Sequence, residues 1–227
     1  MAHIAANLKI PFEKCNYIDL GANHPREMSN TYFFYSQGAR GVLVEANSLL
    51  CRELMTERKE DVVLHKAVTG SSGDMVKFNV LNGDGLSTIG KIDDIIEVNP
   101  EIGLERIETV ETICYNDIVE KYLHSAPVIL NIDVEGLELE ILHSVDFVDK
   151  RPVIIVVEMI PYSPKLVVGE KNNEIIEFMR SVNYIEYAFT GINSIFIDKG
   201  KLQTTSEDHN GSKHTRNNVE SSSCGRS

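Results

Sequence analysis

The stretch Tyr-Ile-Asp-Leu-Gly-Ala-Asn, Tyr17 to Asn23, constrains the fold more than any other part of the chain. An apolar run ends in an acid and breaks at once into a glycine turn. That pattern marks a strand delivering the chain to a ligand at the carboxyl edge of a sheet, where a small residue lets backbone approach closely. A second acid, Glu45, closes the next strand-like run, Gly41 to Val44. The spacing, 45 − 19 = 26 residues, is about one strand–helix–strand unit. In such folds the acid ending the second strand is placed to accept hydrogen bonds from a ribose diol. Asp-x-Gly at a strand end is also ordinary turn chemistry. Glu45 at the right distance is what turns the pair toward a nucleoside-bearing cofactor.

Strands and helices alternate from there. Glu27 to Gln37 reads as a first helix stopped by Gly38, and Asn47 as the cap of a second with Leu50, Cys51, Leu54 and Met55 on one face. Asp61 to Ala67 reads as a third strand, Met75 to Val80 as an extended run, Asn82 to Thr88 as loop and Ile107 to Val110 as a short strand. Gly90 to Leu104 has no clear period. Tyr115 to Leu123 reads as a helix. Pro127 to Asp133 is almost wholly apolar, as a central strand buried on both faces should be. Val153 to Val157 repeats that pattern before Glu158, and Asn173 to Ser181 reads as a helix. Tyr184 to Phe189 and Ile192 to Ile197 are joined too tightly for a crossover, so they pair antiparallel. The expectation is an α/β fold: a mostly parallel sheet with helices on both faces and a terminal antiparallel hairpin, within residues 1–200. From about residue 201 the chain is polar and lacks large apolar residues, the composition of a disordered tail, part of which could be vector-derived.

The second informative cluster is Asn131-Ile-Asp133-Val-Glu135-Gly136, followed by Glu138. Asp133 and Glu135 lie two apart, so in extended backbone they share a face. Acids in a first helical turn are commonplace, and Glu138 is read as one of them. An acid ending so apolar a run as Asp133 does is costly to bury without a partner. Asp19, Glu45, Asp133 and Glu158 therefore converge on one rim, which suits a ligand carrying hydroxyls, an amine or a positive charge.

A net charge of −12 argues against a nucleic-acid surface, which needs clustered Lys and Arg. Four scattered cysteines show no metal-ligand or redox pairing, which fits a reducing compartment. No stretch is long and apolar enough for a membrane span, so the cytoplasm is the expected location.

The motifs Tyr-Ile-Asp-Leu-Gly-Ala-Asn-His, Val-Leu-Val-Glu-Ala-Asn, Asn-Ile-Asp-Val-Glu-Gly-Leu-Glu and Val-Ile-Ile-Val-Val-Glu resemble, in order and spacing, the FkbM family of S-adenosylmethionine-dependent methyltransferases. The resemblance covers roughly residues 15–198, and His24 to Tyr35 looks like a branch associated with bacterial surface glycans. It implies a seven-stranded, Rossmann-like class I methyltransferase sandwich of three layers. It implies that Asp19, Gly21, Ala22 and Asn23 hold the methionine end of the cofactor, that Glu45 and Ala46 meet the ribose, and that Ala67 meets the adenine. Asp133 to Glu138 would then stand beside a small-molecule or glycan acceptor. The sequence departs from the family pattern at Pro25 (often glycine), Ala46 (often proline) and Asn131 (often lysine).

The implied reaction is in-line methyl transfer to a hydroxyl oxygen, in which alignment supplies several kcal/mol and a base within hydrogen-bond reach helps. Candidates for that base are Asp133, then Glu135, Glu158 and His24. Asp133 and Glu135 can equally hold a divalent cation. Lys77 and Ser87 are further candidates for ligand contact. Two other classes stay open. One is a catalytically silent scaffold, for which Pro25 and Asn131 leave room. The other is a nicotinamide-dependent oxidoreductase, against which stands the lack of spaced glycines after Gly21.

Overall fold

Short apolar runs bounded by turn-formers become the strands, and the computed structural model describes residues 1–83, 86–90, 92, 96, 97, 100–160 and 169–202. The strands are β1 (Tyr17–Leu20), β2 (Gly41–Glu45), β3 (Val62–His65), β4 (Ala67–Val68), β5 (Met75–Leu81) and β6 (Leu104–Ile113), then β7 (Ile129–Ile132), β8 (Ile154–Glu158), β9 (Tyr184–Phe189) and β10 (Asn193–Asp198). The helices are α1 (Ala2–Asn7), α2 (Tyr32–Ser36), α3 (Ser48–Glu57), α4 (Tyr115–Ile118, continued by a π turn), α5 (Glu138–Ser144) and α6 (Asn173–Ser181).

Seven strands form one sheet in the order β3-β2-β1-β7-β8-β10-β9. The first five are parallel neighbours, while β10 runs antiparallel to both β8 and β9. Side chains alternate between two cores. Ile18, Leu20, Leu130, Ile132, Ile155 and Val157 pack with the buried faces of α5 and α6. Tyr17, Leu43, Ile129, Ile154 and Val156 pack with α1, α2 and α3 on the other side. This is the three-layer α/β sandwich expected, with its terminal hairpin. Full burial of each such aliphatic side chain stabilises the fold by roughly 1.5–3 kcal/mol.

Four local expectations change. Glu27 to Gln37 is not one helix: only Tyr32–Ser36 is helical, because Met28 takes a left-handed φ of +54° and Ser29 caps the Tyr32 N–H with its hydroxyl. Pro25 consequently sits in the loop that precedes α2. The third strand ends at His65, and Ala67–Val68 leaves to start a separate three-stranded sheet, β4-β6-β5. The strand over Ile107 to Val110 extends to Leu104–Ile113; its alternate residues face solvent, so their polarity disguised its length. Met55 is half exposed instead of buried with Cys51 and Leu54. The expected polar tail lies, from residue 203 onward, outside the described residues.

Candidate functional site

The chain's order reverses at β1, which has β2 on one side and β7 on the other. Ligands of open α/β sheets bind at the carboxyl ends of strands beside such a switch point. There the structure has a cavity of about 210 Å³. Asp19, Glu45, Asp133, Glu135 and Glu158 all line it, as do Gly21, Ala22, Asn23, Ala46, Ala67 and Ser87.

Each acid is held in its own way. Asp19 is buried and accepts hydrogen bonds from the Thr31 hydroxyl at 2.6 Å and the Asn131 amide at 2.8 Å. Burial pushes its pKa up, against the pull of those two donors. Glu45 accepts from the backbone N–H of Asn23 at 2.9 Å and of Asn47 at 2.7 Å. Burial raises its pKa too. An ionised carboxyl group has about four lone-pair sites, so both acids keep acceptor capacity for a ligand.

Asp133 and Glu135 stand on the loop between β7 and α5. Glu135 has a left-handed φ of +53° and is followed by Gly136 at +95°. Backbone strain at a non-glycine residue is characteristic of functional sites. Glu138, read from sequence as an ordinary first-turn acid, is buried and accepts the Gly136 N–H at 3.0 Å, bracing this loop from within. Burial is the main cause that raises the pKa of Asp133; the charges of Asp19 and Glu138 add to it. Burial likewise raises that of Glu135, reinforced by Asp133. A hydrogen bond with Glu158 works against that rise in Asp133. Asp133, Glu135 and Glu158 each offer an oxygen within 4.8 Å of the others. Such an all-oxygen set suits a hard divalent cation and equally suits a ligand's hydroxyl or ammonium donors.

Toward β2 and the small sheet the lining is largely apolar, with Val44, Leu50, Ala67, Val68, Phe78 and Ile89. Phe78 and Ala67 belong to a small third core beneath the three-stranded sheet. An acidic end and an apolar end fit a cofactor that joins a sulfonium amino acid and a ribose to an aromatic base.

His24 does not join the others. The loop after Gly21 carries it to a shallow groove against α3, with Nδ1 3.9 Å from Glu53. Lys77 is exposed and does not line the cavity. His65 lies 2.9 Å from the Ala46 carbonyl oxygen. Sequence reasoning missed Asn193, which pairs with Glu158 across β10 and β8, lines the cavity and has its Oδ1 buried without a hydrogen-bond partner. It also missed Asn30, Thr31 and Arg58. Arg58 lies in the charged run Thr-Glu-Arg-Lys-Glu-Asp, which carries no sign of burial.

The profile of the methyltransferase FkbM domain matches residues 19–186, that is 186 − 19 + 1 = 168 of the 227 residues. No curated protein matches the chain. Among solved structures, an FkbM methyltransferase from Methylobacillus flagellatus KT is similar at 12% identity and a TM-score of 0.47, over 82% of this chain and 44% of that one. The chain therefore spans less than half the length of that protein. A TehB-like SAM-dependent methyltransferase from Corynebacterium glutamicum is similar at 10% identity and TM-score 0.40, over 87% of this chain and 96% of that one. A precorrin-6y C5,15-methyltransferase from Geobacter metallireducens GS-15 is similar at 10% identity and TM-score 0.39, over 84% and 86%. With the family profile spanning most of the chain, the chain belongs to the FkbM family of S-adenosylmethionine-dependent methyltransferases.

Proposed function

We propose that this chain methylates a hydroxyl group on a sugar or related small molecule, with the proton accepted by the carboxyl group of Asp133. The observation that carries the reading is the convergence of Asp133, Glu135 and Glu158 at the acidic end of one cavity whose lining toward β2 and the small sheet is largely apolar. Asp19 and the Gly21–Asn23 turn hold the amino-acid end of the cofactor, Glu45 holds the ribose diol, and Ala67 with Phe78 flanks the base. When bound, S-adenosylmethionine supplies an electrophilic methyl group.

Asp133 orients the acceptor oxygen and takes its proton at a carboxylate oxygen. Glu158 shares a hydrogen bond with Asp133 and sets which oxygen is free. Glu135 offers a further acceptor for a neighbouring hydroxyl. If a divalent cation takes part, the same three residues hold it, and it lowers the pKa of the acceptor hydroxyl. His24, facing α3, is left out of the chemistry. The three described free cysteines are consistent with a cytoplasmic site of action. Among the described residues no helix is long and apolar enough to cross a membrane.

A silent scaffold is the weaker alternative, because one of the two departures that suggested it has a use: the Asn131 side chain donates to Asp19 at 2.8 Å. An oxidoreductase is weaker still, since the turn after β1 leads into a loop and the next helix begins only at Tyr32.

Calorimetric titration tests the cofactor, and transfer of a labelled methyl group to a panel of neutral sugars tests the reaction. Saturable S-adenosylmethionine binding is expected, weakened by Glu45→Ala, with NAD inert. Asp133→Asn is expected to lower transfer by about 100-fold or more, the usual scale for a general base. A folded wild-type protein that binds no S-adenosylmethionine would overturn the proposal.

A further inference from the structure

We infer that Arg58 and Thr31 are positioning residues for the cofactor pocket: Arg58 brackets the loop wall of the cavity from outside and turns the Thr31 hydroxyl into an obligatory donor to Asp19. The inference rests on the methyltransferase reading above. Arg58 caps the C-terminus of α3, is fully buried and does not line the cavity. Its guanidinium donates to the Pro25 carbonyl at 3.1 Å and to the Thr31 hydroxyl at 3.2 Å. Between those two anchors lie Glu27, Met28, Ser29 and Asn30, which line the cavity. The wall is thus pinned at both ends by one side chain.

That guanidinium is itself fixed. Its Nε donates to Asp61 at 2.9 Å and Nη2 to the Tyr17 hydroxyl at 2.9 Å, with the Tyr35 ring 4.6 Å away. Arginine stays charged and can only donate, so the Thr31 oxygen accepts from it and must point its own proton elsewhere. The proton goes to Asp19, at 2.6 Å. Thr31 occupies the N-cap position of α2 yet makes no side-chain cap hydrogen bond. Threonine at that position commonly caps the helix; here the hydroxyl is given to the acid in the cavity.

Thr31→Val and Thr31→Ser separate this role from packing. Valine keeps the volume and loses the hydroxyl; serine does the reverse. S-adenosylmethionine affinity is expected to fall about tenfold in Thr31→Val, the scale of one lost hydrogen bond to a charged group, and Thr31→Ser recovers most of that loss. The opposite order, valine near wild type and serine impaired, overturns the assignment. Arg58→Lys, which loses the fork, is expected to speed amide hydrogen exchange across residues 26–31 in the ligand-free protein while α6 keeps its protection. Unchanged exchange there overturns the pinning. If the wild type binds no S-adenosylmethionine, the function proposed above fails, and the exchange measurement still decides whether Arg58 holds the wall.

Discussion

Gly21 leaves no room for a side chain. A Cβ built there would stand 1.8 Å from the Asp133 carbonyl oxygen, and its φ of +77° is strained for any L residue. Its smallness therefore serves the crossing of two strand ends as well as the approach of a ligand. Gly21→Ala is expected to destabilise the fold by about 2 kcal/mol or more, read as a lowered urea midpoint. Asp133 and Glu135 set a pH dependence at the same scale. Their folded pKa values are raised by burial, so between the ordinary carboxylate range near about 4 and those raised values the folded state binds more protons than the unfolded one. The protonated carboxyls' contribution is complete below the unfolded pKa and is lost as pH rises through the folded ones. Unfolding free energy should thus decline from acid toward neutral pH, and Glu135→Gln should flatten that decline. A slope in the variant as steep as in the wild type would contradict it.

At the scale of elements, two helices begin with the same device. Asn47 accepts the Leu49 N–H at the start of α3, and Asn172 accepts the Glu174 and Ile175 N–H groups at the start of α6. Loss of either cap by substitution with alanine should cost about 1 kcal/mol. The consequences differ because the surroundings differ. Asn47 lines the cavity and also accepts from Arg106 at 2.8 Å, while Glu108 accepts from both the backbone and the hydroxyl of Ser48. Those contacts tie the three-stranded sheet to the rim that holds Glu45. Asn47→Ala is accordingly expected to weaken S-adenosylmethionine binding as well as stability, and Asn172→Ala to lower stability alone. Calorimetry beside urea titration checks both. Helix α6 was legible close to its observed bounds, since its cap, amphipathic face and end are all local. Helix α2 was not, because its start depends on Ser29 and on a threonine committed to an acid on another element.

At the scale of the whole molecule, the cavity joins three parts of the fold: the sheet edge, the loop from Ala22 to Thr31 and the small sheet that carries Phe78. A ligand spanning them should raise the stability of the entire domain. At a free concentration of 100 times its dissociation constant the gain is about 2.7 kcal/mol, seen as a higher thermal midpoint. Glu45→Ala should lose most of this gain at the same concentration. A midpoint that S-adenosylmethionine leaves unmoved in the wild type would contradict a shared binding site.

The sequence by itself determined the large sheet, its antiparallel ending and the acids at its rim. Strand alternation and the acid after each apolar run are short-range patterns, and burial on two faces demands them wherever the strand lies. Tertiary structure alone decided the rest. It sent His24 away from the cavity and placed Arg58, from a run that reads as solvated surface, in the core. It also built the second sheet, whose outward polar residues hid the length of β6. The physical reason is clearest at Arg58. A buried charge is stable only among partners: Asp61 is three residues on, but Tyr17, Pro25 and Thr31 are distant in sequence, and no local pattern records where they will meet.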